Sequence, residues 1–432
     1  MSLAPFRVCV VGSGAREHAL ALALARSAEV VVTPGNPAMA GRSPEGFAIS
    51  VTDAGPEAVD AGLVVVGPEQ PLVEGLADRL RAAGRLVFGP GADGARLEGS
   101  KAFMKQLLSE AGVPTARHGT FDDPAAAKEF LRELPGPWVV KTDGLAAGKG
   151  VLVTESVSEA EADVDAKLSG TAFGEAGRTV VVEEGLAGVE CSLLALCDGR
   201  NVVPLPLSQD FKRLEDGDDG PNTGGMGAYS PVPQVGDDVV DLVMDGIVEP
   251  TVAALRRRGI DYRGVLYAGL MLTDDGPKVL EYNVRFGDPE AQVVLPRVDG
   301  DLTGLLAEAA SGRLRSDPRP APVAAVCVVL ASSGYPGSPR TGEVIEGLEQ
   351  AGEVPGVTVL HAGTALDDHG RVVCAGGRVL SVVGAAGDLP GARRRAYEGV
   401  SRIDWPSMCF RRDIAAAAAA DSAMAVGTEG GR

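Results

Sequence analysis

The sequence predicts an α/β and α+β protein of several domains, on three observations. Its 432 residues exceed what one ordinary core organises. Short apolar strand-like runs alternate with Ala/Leu-rich helical stretches near the N-terminus, and strand-rich stretches dominate later. The chain is 45% hydrophobic and only 4% aromatic, so its cores are built from Ala, Val and Leu, and 58 glycines and 29 prolines punctuate it with turns.

The elements follow in order. Phe6 to Val11 reads as a strand, Gly12-Ser-Gly14-Ala-Arg16-Glu17-His18 as a loop, and the Ala/Leu stretch after it as a helix. Further strands are expected at Val30 to Thr33, Leu63 to Val66 and Leu86 to Phe88, with a helix from Leu72 to Ala83. Residues 1–100 therefore read as an open parallel α/β sheet. Ser100-Lys101 opens a helix at the domain boundary. Residues 121–188 form a compact unit of helix, strand (Trp138 to Lys141), glycine-rich turn, strand (Gly150 to Thr154), helix and strand (Thr179 to Glu184). Segments 101–120 and 189–310 make a central domain interrupted by a loop from Leu214 to Gly227. A Pro/Arg-rich linker precedes a β-rich domain over 323–414, and the alanine-rich tail, 415–432, is expected to be disordered.

A formal charge of −19 argues against general affinity for nucleic acid or anionic membrane. Phosphate ligands would have to be held by local cations and backbone N–H groups. The six cysteines are scattered without a Cys-x-x-Cys pair, as in a reduced cytoplasmic protein, and the four histidines give no zinc pattern. No signal peptide or bilayer-length apolar span is expected.

The most informative stretch runs from Gly264 to Glu290. It reads as two strands around Asp274-Asp275-Gly276-Pro277, and alternation puts Glu281, Asn283 and Arg285 on one strand face. A carboxylate, an amide oxygen and a guanidinium suit a Mg²⁺–polyphosphate site; the alternative is a polar face with a structural ion pair. Gly12-Ser-Gly14 lacks the third glycine and the later acid of a dinucleotide fingerprint. It reads instead as helix-N-terminal amides, with Arg16, facing the phosphate of a small molecule, or as an ordinary tight turn. Lys141 before the turn Gly144 to Gly150, which includes Gly148 and Lys149, departs from Walker spacing. It suits a flap over β- and γ-phosphates, or an exposed hairpin. Glu183, Glu184 and Glu190 lie where a second wall would offer groups to a nucleoside. Asp210, Lys212 and the Asn222-Thr223-Gly224-Gly225 cluster suit an anion-binding lid that excludes water.

Together these segments resemble the phosphoribosylamine–glycine ligase family of the ATP-grasp superfamily, from Val8 to about Ile414. The motifs that carry the likeness are Val11-Gly-Ser-Gly-Ala-Arg-Glu-His18, Gly67-Pro-Glu69-Gln-Pro-Leu72, Ser100-Lys-Ala-Phe103, Lys141 to Gly150, Gly220-Pro-Asn-Thr-Gly-Gly-Met-Gly-Ala-Tyr-Ser-Pro231 and Glu281 to Glu290, with Gly334-Tyr-Pro-Gly337 and Gly376-Gly-Arg-Val-Leu380. Ala15 departs from a usual third glycine and Phe211 from a common histidine. The resemblance implies an ATP-grasp fold between an N-terminal open parallel α/β domain and a small C-terminal β-rich domain, with residues 121–188 as the flap subdomain. It implies ATP-dependent joining of glycine to 5-phosphoribosylamine through glycyl phosphate in purine biosynthesis; another ATP-grasp carboxylate–amine ligase, a purine-intermediate carboxylase and a nucleotide-binding regulator are the alternatives.

By that likeness Glu281 and Asn283 ligate Mg²⁺, or Mn²⁺. Lys105 and Lys141, with Gly148 and Lys149, hold ATP phosphates. Glu183, Glu184, Leu186 and Glu190 hold the adenosine. Arg285 meets the transferring phosphoryl group or glycine carboxylate. Gly12, Gly14, Arg16, Glu69, Asp210, Lys212, Thr223, Gly224 and Gly225 fall on the substrate side. The expected partners are small molecules, and the expected state is a monomer or weak homodimer.

Overall fold

The protein is described here from a computed structural model covering residues 6–145, 150–170, 178–236 and 238–429. Near the N-terminus the strands Ala48–Val51, Glu29–Pro34, Arg7–Gly12, Leu63–Val66 and Val87–Phe88 run parallel in that order, with Gly41–Arg42 antiparallel on one edge. Both faces are covered, which is why Leu63–Val66 is apolar and buried at every position. The first strand lies between the second and Leu63–Val66, so successive connections leave it in opposite directions. A crevice opens at the carboxyl ends of such strands, here beside Gly12. The helix expected from Leu72 to Ala83 is two helices, Glu69–Val73 and Leu76–Ala82. Gly75, at φ 77°, takes the left-handed turn that ends one and starts the other.

Helix Lys101–Ala111 begins at Ser100, whose hydroxyl accepts from the Phe103 N–H at 3.1 Å. Next comes an antiparallel sheet ordered His118–Phe121, Val180–Glu184, Trp138–Thr142, Val151–Thr154, with helices Pro124–Glu133 and Val157–Leu168 packed against it. Its small core is made by Ala127, Leu131, Val140, Ala160, Val164, Val180 and Val182. A second antiparallel sheet carries the central chemistry: Val202–Pro204, Val189–Asp198, Arg263–Thr273 and Gly276–Asn283. The hairpin turns at Asp274-Asp275, with Gly269 opposite Glu281 and Tyr267 opposite Asn283.

The C-terminal sheet centres on Ala324–Ser332, whose nine residues are all buried. It takes Arg378–Ala386 and Val357–His361 on one side and Gly227–Ser230, then Gln209–Asp210, on the other. Segments 209–210 and 227–230, read from sequence as central-domain chain, thus hydrogen-bond into the C-terminal sheet. Between them the expected loop is partly a hairpin, Arg213–Glu215 with Asp219–Asn222. The N- and C-terminal parts meet where the His18 and His361 rings stack 5.7 Å apart, and the His361 backbone N–H donates to His18 Nδ1 at 2.9 Å.

The expectation of a disordered tail is corrected: Ala416–Glu429 is a helix. Ala415, Ala418 and Ala419 are buried in the C-terminal core beside helix Leu389–Val400. Alanine is the strongest helix former and its small side chain lets two helices approach closely, so an apolar period was not needed.

Candidate active site

A cavity of about 610 Å³ lies between the N-terminal unit, the central sheet and the C-terminal sheet. Strand Gly276–Asn283 delivers Glu281 and Asn283 into it together, as alternation requires, and Tyr267 joins them from the neighbouring strand. Arg285 lies just past the strand end and also borders the cavity. Its guanidinium spans two acids from other elements, Glu69 Oε2 at 3.2 Å from Nε and Glu98 Oε1 at 2.9 Å from Nη2. Arg16, Lys101, Asp210, Lys212, Thr223 and Gly224 complete much of the lining.

The charges are interleaved. Burial alone would raise the Glu281 carboxyl, but Lys212, Lys141, Lys101 and Arg285 outweigh it and hold it below its usual range. Burial lowers Lys101, against the pull of Glu281. Burial raises Glu98 despite the neighbouring Arg285. Lys212 pairs with Glu190 and stays firmly protonated, because Asp210, Glu190 and Glu281 offset its burial. Asp210 is pushed up, first by burial, and Glu290 adds to this while Lys212 opposes it. Tyr267 donates to Glu290 Oε1 at 2.9 Å and lies 2.8 Å from the Ser192 hydroxyl, which fixes that end of the wall.

Behind the wall is a buried cation–anion–cation triplet. Glu183 lies between Lys105 Nζ at 2.9 Å and Lys141 Nζ at 3.0 Å. Lys141 also donates to the Leu280 carbonyl at 3.2 Å, one residue before Glu281. Burial draws Lys105 down to about 8 against the attraction of Glu183. Two lysines sharing one carboxylate leave excess positive charge, which suits polyphosphate.

The expected residues divide. Arg16, Glu69, Asp210, Lys212, Thr223, Gly224, Glu281, Asn283 and Arg285 share the large cavity. Gly14 borders an adjoining cavity of about 450 Å³ with Ser13, Asp288, Tyr335 and Arg378. Glu184 accepts from the Arg117 N–H at 2.9 Å, and Leu186 is half-buried in the connection after it. Gly225 packs below Pro289. Gly148 and Lys149 lie outside the described residues.

Two of these expectations fall on groups already engaged within the protein. Gly12 sits against the Glu17 side chain. At φ 128° it makes room for the Glu17 side chain, which a Cβ would meet at 2.6 Å. Gly14 N–H already donates to Glu17 Oε2 at 2.7 Å, so the helix supplies its own anion at the position expected for a phosphate. The Glu183 carboxylate is held by the two lysines; the expectation for adenosine concerned the backbone of this strand.

Sequence reasoning assigned no role to Glu98, Lys101, Tyr267, Asp288, Glu290, Tyr335 or Arg378, all of which line the large cavity. Arg378 Nη2 lies 3.2 Å from Asp288 Oδ2, and its Nη1 donates to the Gly224 carbonyl at 2.6 Å. The available signal was their place inside or beside the quoted motifs.

The donor set fits a divalent cation held jointly with phosphate: one ionised carboxylate and one amide oxygen, two positions apart, in one cavity. Among the described residues no group of three or more His, Cys, Asp or Glu could hold a metal alone, so phosphate oxygens would have to complete the coordination.

Three family models match: the N domain, the ATP-grasp (A) domain and the C domain of phosphoribosylglycinamide synthetase, over residues 6–98, 99–291 and 325–417. The phosphoribosylamine–glycine ligase of Streptomyces coelicolor is 50% identical over 426 residues, covering 96% of this chain and 99% of that protein. A crystal structure of the phosphoribosylamine–glycine ligase of Thermotoga maritima is 37% identical with a TM-score of 0.81, covering 94% of this chain and 100% of that one. The biotin carboxylase domain of the Hydrogenobacter thermophilus 2-oxoglutarate carboxylase, 17% identical, covers 94% of this chain and 92% of its own with a TM-score of 0.69, and shares the fold alone.

Proposed function

This chain belongs to the phosphoribosylamine–glycine ligase family, and we propose on that premise that it joins glycine to 5-phosphoribosylamine with cleavage of ATP, giving glycinamide ribonucleotide, ADP and phosphate in purine biosynthesis. The observation that supports this most is the meeting, in one cavity, of Glu281 and Asn283 with Arg285, Lys101 and Lys212.

A glycine carboxylate is a poor acceptor for an amine. Its oxygen first attacks the γ-phosphorus of ATP, the bond to the β-phosphate oxygen breaks, and ADP leaves. The amine nitrogen of phosphoribosylamine then attacks the acyl carbon of glycyl phosphate, the acyl C–O bond breaks, phosphate leaves and the amine gives up a proton. The first step brings anions together, so cations must already be in position. Lys105 and Lys141 meet the ATP phosphates, and Glu183 aligns both ammonium groups. Arg285, fixed between Glu69 and Glu98, meets the transferring phosphoryl group or the glycine carboxylate. Arg16 and Lys212 attract the phosphoribosylamine side. Glu281 and Asn283 would hold Mg²⁺ or Mn²⁺, which supplies further neutralisation of phosphate charge when bound.

All partners on this reading are small molecules. Six free cysteines, five of them buried, fit a reducing cytoplasm. Among the described residues no helix is long and apolar enough to cross a membrane. The test is ADP production with freshly generated phosphoribosylamine. It is expected to require glycine and phosphoribosylamine together; ADP release indifferent to both substrates would refute the assignment.

A further inference from the structure

We infer that Arg411, in the C-terminal domain, is a positioning residue that sets Asp210 and Lys212 in the catalytic cavity; this rests on the function proposed above. Residues 210 to 212 alternate in direction. Asp210 and Lys212 line the cavity, whereas Phe211 packs into the C-terminal core. There the Arg411 guanidinium lies 4.8 Å from the Phe211 ring centroid.

The same guanidinium holds the hairpin that follows Lys212. Its Nη1 donates to the Arg213 carbonyl at 3.1 Å and to Asp218 Oδ1 at 2.7 Å. Its Nε and Nη2 grip Asp413 at 2.8 and 2.7 Å. Asp413 in turn accepts from the Gly217 N–H at 2.8 Å, and the Arg412 N–H donates to Asp216 at 2.6 Å. Arg411 is 1% exposed, so its guanidinium is shielded from water while its acid partners reach the surface. At the cavity end of the hairpin, Thr223 N–H and Oγ both donate to the Lys212 carbonyl at 2.8 Å.

A planar fork satisfies all these acceptors at once, and a single ammonium does not. Beside the backbone pairing of Gln209–Asp210 with Gly227–Ser230, residues 210–212 are braced from the far side by one side chain nearly 200 positions later, which does not line the cavity. Loss of that grip leaves Lys105 and Lys141 in place and loosens the segment carrying Asp210 and Lys212.

The test uses the full chain with Asp218→Asn and Arg411→Lys. Asp218 sits at φ 58°, which asparagine also adopts, so the first variant keeps the backbone and removes only charge at an exposed tip. Three quantities are measured for each: kcat and KM for glycine and phosphoribosylamine, ATP Kd by direct titration, and backbone amide exchange over residues 209–223. Both variants are expected to lose about tenfold to about 100-fold in kcat/KM for glycine and phosphoribosylamine, by analogy with displacements on the order of 1 Å. ATP Kd should stay within about twofold, and exchange should quicken in that segment only.

Two results overturn the inference: parental kinetics and exchange in both variants, or glycine and ATP parameters that worsen in proportion as a merely less folded protein would give. Absence of glycine-dependent ADP release in the parent would remove the proposed function instead. The exchange measurement would still decide whether Arg411 holds the strand.

Discussion

Glu281 stays ionised inside a cavity because four cations face it and outweigh the effect of burial. That balance explains why the residue suits a divalent ion and why its replacement should harm transfer more than binding. Removing the carboxylate leaves Lys105 and Lys141 to hold phosphate, so nucleotide affinity survives while alignment is lost. Glu281→Ala is expected to lower kcat by about 100-fold or more and to weaken ATP Kd only several-fold, checked by steady-state ADP release and direct titration. Near-parental turnover would exclude it as a ligand. Glu281 and Asn283 were legible in the sequence because strand alternation alone puts them on one face. Glu98, Asp288, Tyr335 and Arg378 were not, because folding joins them from separate domains and no local period marks them. The spacing of Gly12 and Gly14 is ambiguous for another reason: it serves a ligand's phosphate or the carboxylate of Glu17, which the Gly14 N–H meets here.

Among the elements, the strands of both central sheets were readable because apolar runs and turn residues agree with the final pairing. The tail was not. A helix of small residues carries little amphipathic signal, yet Ala418 is 2% exposed against the C-terminal core. Ala418→Asp should therefore act as a core lesion, burying an unpaired charge and lowering the melting temperature by several degrees. Calorimetry would check this, with Asp421→Ala on the exposed part of the same helix as a control that leaves the melt nearly unchanged. The 214–227 stretch reads as a loop because glycines and acids dominate it; the hairpin within it is bound by Arg411, far away in sequence.

For the molecule as a whole, the junction between first and last domains carries a pH dependence. His18 is held down to about 3, first by burial and then by His361, which is itself drawn down to about 4 by burial. Neutral His18 accepts at Nδ1 from the His361 backbone, and a proton there would cost that bond. The unfolded imidazole binds a proton below about pH 6.5. The folded one does so only near pH 3, so this stability is complete above about 6.5 and is lost as pH falls through the window to about 3. Melting temperature should fall with acidification over that range, and the slope should be shallower in His18→Gln. An unchanged slope would mean that other groups govern acid unfolding.

Strand Gly227–Ser230 is stitched into a sheet whose central member, Ala324–Ser332, is translated almost 100 residues later. A ribosome that has released only the first 310 residues has therefore made every acid and lysine assigned to ATP, yet the strand Gly227–Ser230 that backs Asp210 still has its other edge open. Competence arrives with the last quarter of the polypeptide, and a fragment ending before it would present a sticky β edge to its neighbours rather than a slower enzyme.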